Sequence, residues 1–218
     1  VPSQNVFTWK DGRGWLVLSG GTEPTGAVRA NAIGRAAVGE VVASIVISGE
    51  QTTNDDVLAD LQELGAPAGY VVNALTEDDD SIRQQLKEAG LIVLSSTAPP
   101  RELRSVLLGA ALDGVTEAYE RGAVILAEGT AASVFGAYLI DGEHIVDGLG
   151  WLERGFIAPG VTSAANSADV QWITGKQPDI VVVGMGVGSA LALGGAGVVE
   201  TWGSKQITIA LGSAYTQE

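Results

Sequence analysis

The sequence predicts an α/β fold, a three-layer αβα sandwich whose sheet is mostly parallel and carries antiparallel strands at its C-terminal edge. Three observations point there. Short apolar runs alternate with stretches of helical periodicity from Gly14 to Arg121, the mark of successive βαβ units. The stretch "RGAVILAEGTAASVFGAYLID", Arg121 to Asp141, joins one more apolar run to helical spacing through a sharp glycine turn. The tail then changes to alternating residues broken by Gly-Gly and Gly-Ser, a hairpin or meander signature.

Each element follows from its residues. "GWLVLSGG", Gly14 to Gly21, is a buried strand ending in a glycine turn, and "TGAVRANAIGRAAVG" has the spacing of the next helix. "EVVASIVISG" is a strand, followed by a helix from Asp55 to Leu64 with Thr53 or Asn54 as N-cap. "GYVVNAL" is a strand, and Asp79 to Ala89 a helix capped by Thr76 or Asp78. After the strand "GLIVLSS", Pro99 and Pro100 suit the first turn of a helical stretch that runs, with a break, to Arg121. In the glycine-turn segment Ala123–Glu128 is the strand and Gly129 the turn. Ala131, Val134, Phe135, Tyr138 and Leu139 then predict a helix over Thr130–Tyr138. "DIVVVGMG" is another buried strand, and "SALALGGAGVVETWGSKQITIAL" supplies antiparallel strands that finish the sheet. With no repeat, low-complexity segment or linker, residues 1–218 are expected to form a single domain with a well-covered core.

Composition narrows the chemistry. Twelve basic residues against 26 acidic ones leave a net charge of −14, which argues against nucleic acid or an anionic membrane as partner. The chain has no cysteine, so disulfides, thiolate metal sites and cysteine catalysis are excluded. Apolar runs are too short to span a bilayer and Val1–Lys10 does not resemble a signal peptide, so a cytoplasmic location is expected. His144 is the only histidine and sits in the turn-like "DGEHIVDG". Histidine is the usual base of nucleophilic hydrolases and the commonest zinc ligand. For His144 to catalyse, Asp141, Glu143 or Asp147 would have to orient it beside an unidentified nucleophile, so it reads as a loop residue. Gly184, Gly186 and Gly188 evoke a dinucleotide loop, but Ser189 stands at the third glycine position and alternation, not a helix, follows. Neither a cofactor nor a metal is expected.

A strand, sharp turn and helix form the frame that lifts a nucleophile above the sheet of α/β hydrolases. Here the turn reads Glu128-Gly129-Thr130-Ala131, with no catalytic side chain at its apex. The chain resembles the cyanophycinase and aspartyl dipeptidase family of serine peptidases, which have a class I glutamine amidotransferase-like fold. The resemblance spans Gly14 to Leu211 and rests on three segments. "GAVILAEGTAASVFG" is similar to the family's G-A-V-I-x-G-T-S-A-G-A-S-V-x-G, "PGVTSAANS" to P-G-V-x-x-D-x-H-F, and "GMGVGSALAL" to G-x-G-x-D-E-x-T-A-L.

Carried across, the family's nucleophilic serine falls on Gly129, its histidine on Asn166 and its acid on Ser189. Its G-G-D-Q oxyanion turn falls near Ser95–Ala98, "SSTA". A triad acts as a unit, so loss of nucleophile and base forfeits nearly all its gain. The resemblance therefore implies a catalytically silent homologue kept as a binding or assembly subunit, forming a homodimer as family members commonly do. Glu128, Thr130, Ser95 and Ser96 are the candidates for a residual pocket that takes a peptide or a small basic ligand. Trp9, Trp15, Trp151, Trp172 and Trp202 are candidate interface anchors, with core packing as the alternative. The competing reading is an active peptidase or isopeptidase with a rebuilt site, using Thr130 or Ser133 as nucleophile and Lys176 or Lys205 as base.

Overall fold

The computed structural model describes residues 8–36, 41–46 and 51–215. Five short parallel strands build the centre: β1 (Trp15–Ser19), β2 (Val42–Val46), β3 (Gly69–Asn73), β4 (Leu91–Ser95) and β5 (Val124–Glu128). They pair in the order β1-β5-β4-β2-β3. Strands β4 and β5 are buried along almost their whole length, as expected where helices cover both faces of a parallel sheet.

The period-two alternation sorts each strand's side chains between two layers. Leu16, Leu18, Ile92, Leu94, Ile125 and Ala127 face α3 (Asp79–Glu88), α4 (Pro100–Leu107) and α5 (Ala110–Arg121). Val17, Val93, Val124 and Leu126 face α1 (Ala27–Arg35) and α2 (Gln51–Glu63). Asp78 caps α3 by accepting from the Ser81 amide at 3.0 Å. Helix α2 begins earlier than its sequence suggests, which places Asn54 inside it rather than at its cap. The Asn54 Oδ1 instead accepts from the buried Ser44 hydroxyl at 2.6 Å; the side chain of Thr53 lies outside the described residues.

Two expectations need correction beyond the turn. The helix after Gly129 is only α6 (Thr130–Ser133), and the chain then enters β6 (Gly136–Asp141). A continued helix would have committed the Val134, Phe135, Gly136 and Ala137 carbonyls to amides four residues on. They accept instead from the amides of Leu149, Leu152, Gly150 and Gly148. Partners distant in sequence outcompete the local periodicity.

The second correction concerns where the later strands go. A separate five-stranded sheet contains β6, β7 (His144–Asp147), β8 (Leu152–Pro159), β9 (Val181–Met185) and β12 (Ile207–Leu211), in the order β12-β9-β8-β6-β7. Only β10 (Ser189–Gly194) and β11 (Val199–Gly203) extend the central sheet, antiparallel beyond β1. The buried strand "DIVVVGMG" therefore belongs to the second sheet. Ile157, Val183 and Met185 pack that sheet onto the main core, while Phe156, Ala158 and Val182 pack against α7 (Ala168–Lys176). Among the described residues, no helix is long and apolar enough to cross a membrane.

The tryptophans are packed rather than displayed. Trp151 is buried between Tyr119 and Phe135, with ring centroids 5.0 and 5.1 Å away, and buried Trp202 lies beside Trp15. Trp9 and Trp172 are half-buried against the main core and the α7 cluster.

The fully buried Tyr119 donates its hydroxyl hydrogen to the Lys10 carbonyl at 2.9 Å. Burial, with a smaller contribution from Asp11, pushes its phenol up to about 12 from 10.0. A group whose pKa rises on folding contributes stability below its unfolded value and loses it as pH climbs to the folded one. The Tyr119 contribution should thus fade between pH 10 and about 12. Urea titrations should show Tyr119→Phe destabilised by about 1 kcal/mol at neutral pH, with a shallower decline than the parent across that alkaline window.

Candidate functional site

The strand register sets the site. Ser19, Glu128 and Ser95 stand side by side at the carboxyl ends of β1, β5 and β4. Open α/β sheets place ligands beyond such ends. The next residues, Gly20–Thr22, Gly129–Thr130 and Ser96–Thr97, therefore emerge together.

Gly129 has φ 56° and ψ −128°, the torsions of the first central residue of a type II′ turn, where glycine meets no steric penalty. Its amide donates to the Ser19 carbonyl at 3.0 Å, which ties the turn to the neighbouring strand. A Cβ added here would meet no atom within 4 Å. A strand, a glycine turn and one helical turn follow one another here, and the residue at the turn bears only hydrogen.

Alternation explains what happens one residue earlier. Glu128 shares a face with Val124 and Leu126, the face covered by α1. There it meets Arg29, which lies on the buried side of α1 with Val28 and Ala32. The Arg29 Nε donates to Glu128 Oε1 at 2.9 Å and Nη2 to Oε2 at 2.7 Å, a two-pronged, charge-assisted contact. Nη1 reaches Asp60 of α2 at 2.8 Å. Both members of the inner pair are buried, with 7% and 4% exposure. Burial alone would lower the Arg29 pKa, but the hydrogen bonds and charges of Glu128, then of Asp60, hold it above its ordinary value. The pocket carboxylate expected from sequence is thus neutralised within the chain by a side chain.

Glu128, Thr130, Ser95 and Ser96 do come together. With Gly21, Thr22, Thr97 and Gly129 they line a cavity of about 240 Å³. Ser96 Oγ accepts from the Ala98 amide at 3.1 Å, which shapes the loop after β4. A larger cavity of about 640 Å³ shares Gly21, Thr22 and Glu128 and continues between α1 and α2 past Glu23, Asp60 and Glu63. On the other side, Thr130 and Ser133 border a third cavity.

Neither Asn166 nor Ser189 lines the cavity at Gly129. Asn166 is exposed at the end of a 3-10 turn, Ala164–Asn166, whereas Ser189 is fully buried on β10 and its Oγ accepts from the Gln206 amide at 2.9 Å. His144 is exposed on β7, at the edge of the second sheet, and pairs in register with Asp141 rather than lying in a loop. Ser133 Oγ donates to the Thr130 carbonyl at 2.7 Å. Lys176 and Lys205 are exposed, at the end of α7 and before β12, and neither borders these cavities. Among the described residues, no group of three or more His, Asp or Glu is placed to hold a metal ion.

Arg29 and Asp60 are the site residues that the sequence reading missed. One signal was available: Arg29 falls in the apolar stripe of its helix, where a cation requires a buried partner.

No family model and no curated protein sequence matches the chain. Solved structures do. A peptidase from an acI-B1 Actinobacterium superposes with a TM-score of 0.71 at 18% identity, over 92% of this chain and 95% of that one. A candidate Peptidase E protein from Listeria monocytogenes EGD-e gives 0.62 at 14% identity, over 86% and 97%. At such identities the likeness speaks for the fold, which is peptidase-like.

Removing one partner of a buried ion pair leaves the other uncompensated, at about 3–5 kcal/mol. Glu128→Ala should therefore lower unfolding stability by about 3 kcal/mol, the low end, because Asp60 still holds Arg29. The double variant Arg29→Met with Glu128→Leu should lose less than the single one. Equilibrium urea unfolding of all three proteins checks both statements.

Proposed function

We propose that this chain is a catalytically silent homologue of cyanophycinase-type serine peptidases, a single domain that acts as a binding or assembly subunit. One observation carries the reading: the apex of the elbow is Gly129, in torsions that suit a nucleophile turn, with no side chain to react. A peptidase needs an activated nucleophile beside a base. Thr130 and Ser133, the first hydroxyls after the turn in sequence, share their cavities with no histidine or lysine among the described residues. Among the described residues, the larger cavity has Glu23, Asp60, Glu63 and Glu128 in its walls against the single cation Arg29, which supports a small basic ligand or a peptide bearing one. Self-association would use exposed Val199, Ile209 and Leu211 on β11 and β12, since the tryptophans are packed inward.

Fluorophosphonate probes should leave the protein unlabelled, and aspartyl dipeptides and β-aspartyl-arginine peptides should remain uncleaved. Gly129→Ser should fold, because its Cβ has room, at a strain cost of about 1–3 kcal/mol, and should stay inert for want of a base. Intact-mass spectrometry reads the labelling. Stoichiometric adduct on the parent protein at Thr130 or Ser133 would replace this reading with an active peptidase whose site has been rebuilt.

A further inference from the structure

We propose that the cavity on the α7 side of Thr130 binds an amphipathic cation, an aryl or branched alkyl group carried next to an ammonium. The cavity holds about 330 Å³, within the range of small-ligand sites and ample for a phenyl or isobutyl group. Its floor is apolar: Leu139 from β6, Phe156, Ile157 and Ala158 from β8, and Val161 beyond it. These residues sit toward the carboxyl ends of the parallel strands β6 and β8. The strands hold the concavity open, so it cannot collapse to hide its apolar wall from water, and an apolar group that enters gains the transfer energy.

The rim selects the charge. Three hydroxyls border it, those of Thr130, Ser133 and Ser167; Ser133 donates to the Thr130 carbonyl and Ser167 accepts from the Val170 amide, so these two already serve the backbone. Asp169 is different. It stands exposed in the first turn of α7, borders the cavity, and has no ion pair among the described residues. A carboxylate at the mouth of an apolar pocket attracts an ammonium, and on a chain of net charge −14 an anion of the same shape is repelled. The cation could arrive as a free amine or as the amino terminus of a peptide beginning with an apolar residue. This site deepens the proposed binding role and rests on it only for its purpose; its chemistry is independent of whether Gly129 is silent.

The test is an amide chemical-shift titration of the folded chain with four probes: 2-phenylethylamine, phenylalanylglycine amide, 3-phenylpropionate and ethylamine. Binding by either aromatic amine, with shifts centred on Ala158, Val161 and Asp169, supports the site; preference between the two distinguishes a free amine from a peptide terminus. Ethylamine should bind about tenfold or more weakly for lack of the buried ring. Asp169→Asn, an exposed substitution that should not disturb folding, should weaken the amines about fivefold. Equal binding of the propionate, indifference to Asp169→Asn, shifts confined to the Glu128–Gly129 side, or no binding at all would each overturn the inference. None of these results would touch the silent-elbow reading, which fluorophosphonate labelling decides separately.

Discussion

Glu128 ends a strand that is buried on every side, and a carboxylate there is tolerable only with a partner. Arg29 is that partner, and much of the surrounding geometry depends on it. The guanidinium clamps α1 to the end of β5 and, through Asp60, draws α2 to the same point. These two helices form part of the wall of the larger cavity, together with the segment from Gly21 to Gly26, and one cation shared by two acids sits in it. Such pairs contribute little net energy compared with well-packed apolar residues, but breaking one is costly. The pair therefore acts mainly as a constraint on how the helices sit.

The same constraint bears on the elbow. Gly129 follows Glu128 directly, and its amide is tied to Ser19 on the neighbouring strand. Held on both sides, the turn keeps torsions that a side chain would occupy only under strain, although space for a Cβ is present. The neighbourhood is drawn tight elsewhere: a Cβ at Gly20 would lie 2.3 Å from the Met185 and Gly186 carbonyl oxygens, so the end of β1 abuts the end of β9. A peptidase-like fold thus carries, at the end of β5, a tightly held glycine turn. Binding asks less than catalysis of such a scaffold, since walls and charge suffice without a proton relay.

Much of this is legible in the sequence. The apolar runs at Gly14–Gly21, Gly90–Ser96 and Ala123–Glu128 read as buried strands because both faces of a covered parallel sheet demand apolar residues. Asp78, one of two candidate caps with Thr76, and the Pro99–Pro100 pair marked helix starts because capping and the fixed proline torsion are local effects. Gly129 stood out as the turn because the strand pattern stops there. Ser95, Ser96, Glu128 and Thr130 could be grouped by resemblance, and the register of β4 against β5 brings them together around one cavity.

What the sequence could not disclose depends on partners far along the chain. The stretch from Val134 to Ala137 has helical spacing, yet its carbonyls are taken by amides from Gly148 to Leu152, a competition invisible to a local window. The assignment of β9 and β12 to a second sheet is likewise a matter of pairing, not of composition. Arg29 and Glu128 lie 99 positions apart, and only the packing of α1 across β5 makes one the counter-charge of the other. By itself the sequence determined the α/β class, the strand and turn of the elbow and the missing side chain at its apex, because period, turn chemistry and residue identity are local. The tertiary structure alone decided that Glu128 is neutralised by Arg29 and that Asp169 stands at the mouth of a cavity, because charge pairing and concavity arise only when distant segments meet.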